Sequence, residues 1–239
     1  MNMLTNDETL FNMNEAIRGA FMDCRTHKIR EQIVTNNKVT PIAHVKLLNG
    51  QRKKSDAGGY LSDQYYQFKV EGRNEVQIIQ CGMTAAKDFL NLTQHVALPL
   101  FNPLCGNIGP NKDRINNINK YVNGNISNKK IWDPMAKELY NAVMWLVVLL
   151  NGINIDTPLY KIKNDLETYY YSTPFDSKIR AVNTMIKHGL DDETLTNKIK
   201  ELKQQNRIKD SVCDFHLLIN KVKKMTDRNG RALNIICWF

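Results

Sequence analysis

The sequence contains little glycine and proline, which make up 12 and 7 of its 239 residues. Disordered chains are typically richer in these residues and poorer in large apolar side chains. Here 42% of the residues are hydrophobic, which is enough to form a substantial core. The composition therefore argues against a disordered chain and predicts either one large globular domain or two small ones.

A long hydrophobic run is missing as well. The most apolar stretch, residues 139–150, is interrupted by Asn141 and is shorter than the roughly 20 residues that a membrane helix needs. The first residues show no basic region followed by an apolar run, so a secretory signal is not expected. The five cysteines are odd in number and scattered, unlike the framework of a disulfide-rich secreted domain. We therefore expect a cytoplasmic protein without a membrane partner.

Several catalytic motifs are also missing. The chain has no G-x-S-x-G nucleophile motif, and its glycines lack the spacing of a P-loop or of a Rossmann fingerprint. This argues against a serine hydrolase and against dependence on ATP or NAD. No cofactor is expected from these patterns.

Basic charge is present and unevenly distributed. The net charge is +9, and residues 25–54 contain eight Lys or Arg against one acid, while residues 198–231 contain ten against four. Because a local basic patch attracts phosphates whatever their sequence, nucleic acid is the expected partner. The alternative is that both segments are ordinary solvated surfaces. The residues expected to contact phosphates are Arg25, Lys28, Arg30, Arg52, Lys53, Lys54, Lys209, Lys221, Lys223 and Lys224.

The hydrophobic periodicity predicts an α+β fold, with an N-terminal helix and a small antiparallel sheet followed by a C-terminal helical bundle. In the first half we expect a helix within residues 14–34, strands at 39–48, 64–70 and 75–80, and a helix at 84–92. Asn49-Gly50 favours a tight hairpin turn after the first of these strands. The expected division is an α+β domain at 1–98, an Asn/Gly/Pro-rich connector at 99–130 and a helical domain at 131–239.

The second half carries helix-start signals at Asp133-Pro134, Thr157-Pro158 and Thr173-Pro174. Two further helices are expected, at residues 191–206 and 210–225, and the short link between them has the spacing of a helix-turn-helix. Ordinary bundle packing gives the same spacing, so this signal is weak. The apolar tail, residues 232–239, is expected to return to the core as a strand or plug.

One short pattern suggests an enzyme. Asp56 and Asp63 precede Gln67-Phe68-Lys69 in a predicted strand, an arrangement that resembles the Gln variant of the PD-(D/E)xK nucleases. That resemblance implies a Mg²⁺-dependent nuclease, with the acids holding the ion and Lys69 near the attacking water or scissile phosphate. The chain departs from the family because a tight turn follows Lys69 almost at once.

Three other features have alternative interpretations. Cys24 with His27 and Cys213 with His216 have zinc-ligand spacing, but buried structural side chains are the preferred interpretation. The Tyr169–Tyr171 run is suited to stacking on bases, although core packing explains it as well. A third class of function is a protein-interaction component of a mobile element or defence system, in which the basic charge is incidental.

Overall fold

The computed structural model describes residues 23–105, 130–150, 152, 157–227 and 229–239. The chain forms two compact units, one comprising Met1–Asn102 with Val147–Asp156 and the other Pro103–Leu146 with Thr157–Phe239. Residues 14–22 of the expected first helix and residues 106–129 of the expected connector lie outside the described residues.

The described part of residues 1–102 in the first unit contains two helices and five strands. In chain order they are α1 (His27–Asn36), β1 (Lys38–Lys46), β2 (Lys53–Lys54), β3 (Tyr60–Leu61), β4 (Gln64–Glu71), β5 (Val76–Cys81) and α2 (Met83–Thr93). Strands β1, β4 and β5 form an antiparallel sheet in the order β1-β4-β5, and β2 and β3 form a separate antiparallel pair.

One face of β4 forms a core with α2, although Tyr65 and Gln67 on the other face are buried as well. Tyr66, Phe68 and Val70 point to one face and are almost fully buried with Ile79 of β5. The ring of Phe89 on α2 lies 5.1 Å from that of Phe68, so α2 packs on this face. Burying one such aromatic side chain contributes about 2 kcal/mol. The period-2 pattern of β4 and the helical pattern of α2 therefore form one core.

A β-bulge interrupts β1. Pro41 pairs with Phe68 and Ala43 pairs with Gln67, so Ile42 between them is one residue more than β4 matches. Beyond the bulge His44 lies opposite Tyr66, and the two rings stack with centroids 4.1 Å apart. The bulge thus accommodates the extra residue without disturbing the pairs that follow.

The second unit is helical. Its described residues form α3 (Pro134–Leu149, within this unit as far as Leu146), α4 (Pro158–Thr168), α5 (Asp176–Gly189), α6 (Leu195–Leu202), a short 3-10 helix (Asp210–Val212) and α7 (His216–Lys223). Two of the predicted starts are capped as expected: Asp133 accepts the Ala136 N–H at 2.9 Å, and Thr157 accepts the Tyr160 N–H at 3.5 Å. The α+β prediction, with several C-terminal helices after the sheet, is confirmed.

The helix-turn-helix interpretation is wrong. Helices α6 and α7 are separated by residues 203–215 and not by three residues. The reason is that this stretch pairs with another part of the chain: Ile208 bridges Leu104, and the Lys209 N–H donates to the Pro103 carbonyl at 2.8 Å.

The apolar tail packs as a plug without forming a regular strand. Phe239 is buried, and the Trp238 N–H donates to Asn183 Oδ1 of α5 at 2.7 Å. The Trp238 carbonyl in turn accepts the Leu195 N–H at the start of α6. Among the described residues, no helix is both long and apolar enough to cross a lipid bilayer.

Candidate nucleic-acid interface

The β2–β3 hairpin presents a basic and aromatic face to solvent. Lys54 lies directly opposite Tyr60, so their side chains share one side of the ribbon. Arg52 precedes Lys54 by two residues, and its guanidinium carbon lies 4.9 Å from the centre of the Tyr60 ring. All three residues are exposed, Tyr60 to 60%. We call Arg52, Lys54 and Tyr60 the hairpin face.

The turn that closes this hairpin depends on glycine. The Gly58 N–H donates to the Ser55 carbonyl at 3.0 Å, and the Ser55 N–H donates to the Gly59 carbonyl at 3.0 Å. Gly58 and Gly59 have φ angles of +92° and +73°, a region that side chains disfavour. The Gly-Gly pair thus allows two very short strands to come together.

A third cation lies beside the turn. The Arg25 side chain packs against Gly58, where an added methyl group would come 3.5 Å from Arg25 Nε. Its ion pair with Asp23, at 3.8 Å, is exposed on both sides and therefore adds little energy. Arg25 is available next to the hairpin face.

The opposite side of the hairpin points inward. Lys53 is only 7% exposed; its ammonium donates to the Tyr65 hydroxyl at 3.2 Å and lies 4.5 Å from the centre of that ring. Asp56 is also buried, and its carboxylate accepts the Gln80 N–H of β5 at 2.5 Å. The acid of the hairpin is therefore turned away from the hairpin face.

Two of the four residues of the nuclease pattern, Asp56 and Gln67, meet at Gln80, and Lys69 lies two residues after Gln67 on the same face of β4. Asp56 and Gln67 both contact Gln80, the latter through its side-chain amide at 3.4 Å. Lys69, in contrast, pairs with Glu71 at 2.6 Å, and Asp63 is an exposed partner of Lys46.

Gln67 is also covered by protein. It is 2% exposed, and the backbone of Gly152 lies so close to it that a methyl group at Gly152 would collide with the Gln67 amide. Gln67 and Asp56 are thus both buried beside Gln80 of β5, and the nuclease pattern stays a prediction.

Residues 23–226 match the family described as uncharacterised conserved protein UCP028583. The chain belongs to this family. No curated protein and no solved structure matches the chain. For this member of UCP028583 the function has to be argued from its surfaces.

The other basic residues predicted to contact phosphates in this UCP028583 protein differ in their exposure to solvent and in their ion pairs. Lys28, Lys223 and Lys224 are exposed, whereas Lys209 is half-buried. Lys221 pairs with Asp176 at 2.8 Å. Of the predicted phosphate contacts in the second basic segment, Lys209 and Lys221 are therefore less available than Lys223 and Lys224.

Arg30 has a structural role. Its Nε donates to Asp88 at 2.6 Å and its Nη1 donates to the Cys24 carbonyl at 2.7 Å, with the residue only 8% exposed. Burial pushes the pKa of Asp88 upward, but hydrogen bonds from His27 and Arg30 bring it below its ordinary value. Arg30 therefore binds α1 to α2 and is not part of the proposed surface.

One cluster has metal-ligand chemistry in the described part of the chain. The ligand atoms of Glu138, Asp214 and His216 lie within 4.8 Å of one another. Each already has a local partner, since Glu138 accepts the N–H groups of Leu217 and Leu218 at the start of α7, and His216 bonds Asp214 at 2.8 Å. These contacts describe a helix cap.

The two Cys-x₂-His pairs are engaged separately. Cys24 is fully buried in the core of the first unit, and burial raises the pKa of its thiol to about 12. His27 bonds Asp88 at 2.8 Å. In the second unit Cys213 donates to the Lys209 carbonyl at 3.1 Å. The pairs belong to different units, and each makes its own contacts.

The sequence did not identify Tyr60 as a site residue, nor did it predict that Lys53 is buried while Lys54 is exposed. The available signal was Asp56-Ala57-Gly58-Gly59, a turn sequence between Lys54 and Tyr60. Recognising a hairpin there would have placed Lys54 and Tyr60 on the same side.

Proposed function

We propose that this protein binds nucleic acid through phosphate contacts made by the hairpin face and by Arg25. One observation carries the proposal: two cations and an exposed aromatic ring share one side of a hairpin whose only acid, Asp56, is buried on the other. Arg25 lies at the turn of the same hairpin.

The chemistry of these side chains suits a phosphate backbone. An arginine guanidinium presents a planar set of donors that matches phosphate oxygens, and a lysine ammonium adds a compact charge. A two-stranded ribbon is also narrow enough for the major groove of duplex DNA, which is about 12 Å wide. A partly exposed Tyr60 adds a surface on which a sugar or base can pack.

The test is binding of fluorescent duplex and single-stranded oligonucleotides over a range of salt concentrations. Arg52→Ala/Lys54→Ala should weaken binding at low salt by about tenfold or more, because each phosphate contact contributes to affinity. The slope of log affinity against log salt should fall by about 2, or about 1 for each lost contact.

The matched control is Arg73→Ala/Lys87→Ala, which removes the same charge from exposed residues of the β4–β5 turn and of α2. Lys223→Ala/Lys224→Ala tests the second basic segment in the same way. Both variants should change affinity less than about threefold. Equal losses in all three variants would mean that net charge alone explains binding.

Two outcomes would replace the proposal. Cleavage of the oligonucleotides in Mg²⁺ that is lost in Lys69→Ala would favour the nuclease. Failure of the wild-type protein to bind any oligonucleotide at low salt would favour a protein partner.

A further inference from the structure

The second unit carries a cluster of aromatic rings at the start of α3. The Trp132 ring centre lies 5.1 Å from that of Tyr140 and 5.4 Å from that of Tyr170. Tyr170 and Tyr171 meet edge to face at 5.4 Å. Such spacings are typical of rings that pack directly on one another.

The outer rings of this region are open to solvent. Tyr171 is 38% exposed, and Phe175, which follows it in the same loop, is 74% exposed. Tyr169 and Ile131 are exposed as well. Exposed apolar side chains gathered at one place typically mark an interaction site. We call Trp132, Tyr170, Tyr171 and Phe175 the aromatic platform.

Lysine side chains lie over these rings. Lys130 Nζ is 3.5 Å from the centre of the Tyr171 ring, and Lys137 Nζ is 4.7 Å from that of Trp132. Loss of water around Lys137 lowers the pKa of its ammonium below the ordinary lysine value. Neither lysine forms an ion pair with a carboxylate in the described part of the chain.

The acidic residues nearby are engaged in internal contacts. Asp133 caps α3 and also accepts a hydrogen bond from Thr173 at 2.8 Å. Glu167 accepts a hydrogen bond from the buried Lys163 at 2.6 Å. Lys163 offsets the charge of Glu167, and the two ammonium groups over the rings outweigh the single negative charge of Asp133.

The loop that carries the platform is fixed by backbone hydrogen bonds. The Asp133 N–H donates to the Tyr170 carbonyl at 2.9 Å, and the Ser172 N–H donates to the Tyr169 carbonyl at 3.0 Å. Because the rings are held before any ligand arrives, binding requires less ordering of side chains.

We infer that the aromatic platform binds single-stranded nucleic acid by stacking unpaired bases on its rings. Partly exposed rings beside ammonium groups that form no ion pair among the described residues fit an occupant that is both planar and anionic, which describes a single strand better than an apolar protein surface. This inference rests on the proposed function, because it names the form of nucleic acid that the protein prefers.

The experiment compares three probes of equal length: an oligothymidylate of about 20 nucleotides, an abasic strand with the same phosphates, and a duplex. The wild-type protein should bind the oligothymidylate about tenfold more tightly than the abasic strand, because only the former has bases to stack. Tyr171→Ala/Phe175→Ala should remove that difference and leave duplex binding within about twofold.

Two variants keep the test interpretable. Tyr171→Phe retains the ring and should retain the preference for bases, which separates stacking from loss of the hydroxyl. Arg52→Ala/Lys54→Ala should weaken all three probes together. Both alanine replacements in the platform are at exposed positions, and circular dichroism checks that the helices are intact.

The possible failures are distinct. Equal affinity of the wild-type protein for the abasic strand and the oligothymidylate overturns the platform while leaving phosphate binding in place. An unchanged base preference in Tyr171→Ala/Phe175→Ala overturns it too. No binding of any probe by the wild-type protein overturns the proposed function itself.

Discussion

The two basic segments of the chain use their charge differently. In residues 25–54 the cations are divided between the surface and the interior: Arg52 and Lys54 face solvent, and Arg30 and Lys53 are buried. In residues 198–231 no described cation is buried, and several lysines form ion pairs at the surface. These pairs are Lys198 with Glu193 and Glu201, Lys203 with Asp210, and Lys221 with Asp176.

A count of charges along the sequence is therefore a poor measure of a binding surface. The segments have similar net charge, yet only the first brings exposed cations together on one side of a hairpin. What matters is which cations are exposed to solvent and lie on the same face of the protein. Three predictions test this difference between the segments.

The largest expected effect is on stability, at Arg30. Arg30→Ala leaves the carboxylate of Asp88, which is 20% exposed, with His27 as its remaining side-chain partner among the described residues and without the Arg30 guanidinium. Breaking such a partly buried ion pair should lower the free energy of unfolding by about 3 kcal/mol. Urea unfolding measures this loss. Arg25→Ala is the control and should cost less than about 0.5 kcal/mol, since Arg25 is exposed. Equal losses of stability in the two variants would contradict the assignment of Arg30 to the interior and Arg25 to the surface.

The neighbouring lysines of the hairpin should give opposite results. Lys53→Met removes the donor to the buried Tyr65 hydroxyl and should cost on the order of 1–3 kcal/mol of stability. Lys54→Met should leave stability within about 0.5 kcal/mol and weaken oligonucleotide binding severalfold. Urea unfolding and binding are measured on both variants. If Lys53→Met binds oligonucleotides more weakly than Lys54→Met does and is as stable as the wild-type protein, the assignment of the two lysines to opposite faces is incorrect.

The smallest expected effect is a pH dependence of stability through His27. Its hydrogen bond with Asp88 raises the pKa of His27 above the ordinary histidine value. Protonation is therefore favoured in the folded state, so this contribution is complete below about pH 6.5 and is lost as pH rises through the raised pKa. His27→Gln should flatten the unfolding free energy between pH 6 and 8, roughly the window of histidine titration. An unchanged pH profile would show that the pair contributes nothing.

Much of the fold could be predicted from the sequence, because β4, β5 and α2 have clear periodicity. These elements fall within two residues of their expected ends. The strand that pairs with β1 was harder to predict. Asn49-Gly50 does form a turn, with Gly50 at φ +81°, but β1 pairs with β4 and not with the next strand. Which distant strand completes a sheet depends on packing that local turn signals do not report.

The candidate site was only partly predictable. Strands β2 and β3 have two residues each, too few for alternation to distinguish Lys53 from Lys54. Arg30 was counted as a phosphate ligand because its partner Asp88 lies 58 residues further along the chain. Nucleic-acid binding itself stays a prediction that the experiments above address.

The bulge at Ile42 has an evolutionary consequence. Because Pro41 and Ala43 pair with consecutive residues of β4, the strand has absorbed one residue without changing the orientation of any side chain beyond it. A relative in UCP028583 that lacks this residue would keep His44 opposite Tyr66 and every later pair. We therefore expect some members of the family to lack one residue at this position. In a regular strand, losing one residue would turn every later side chain to the opposite face of the sheet.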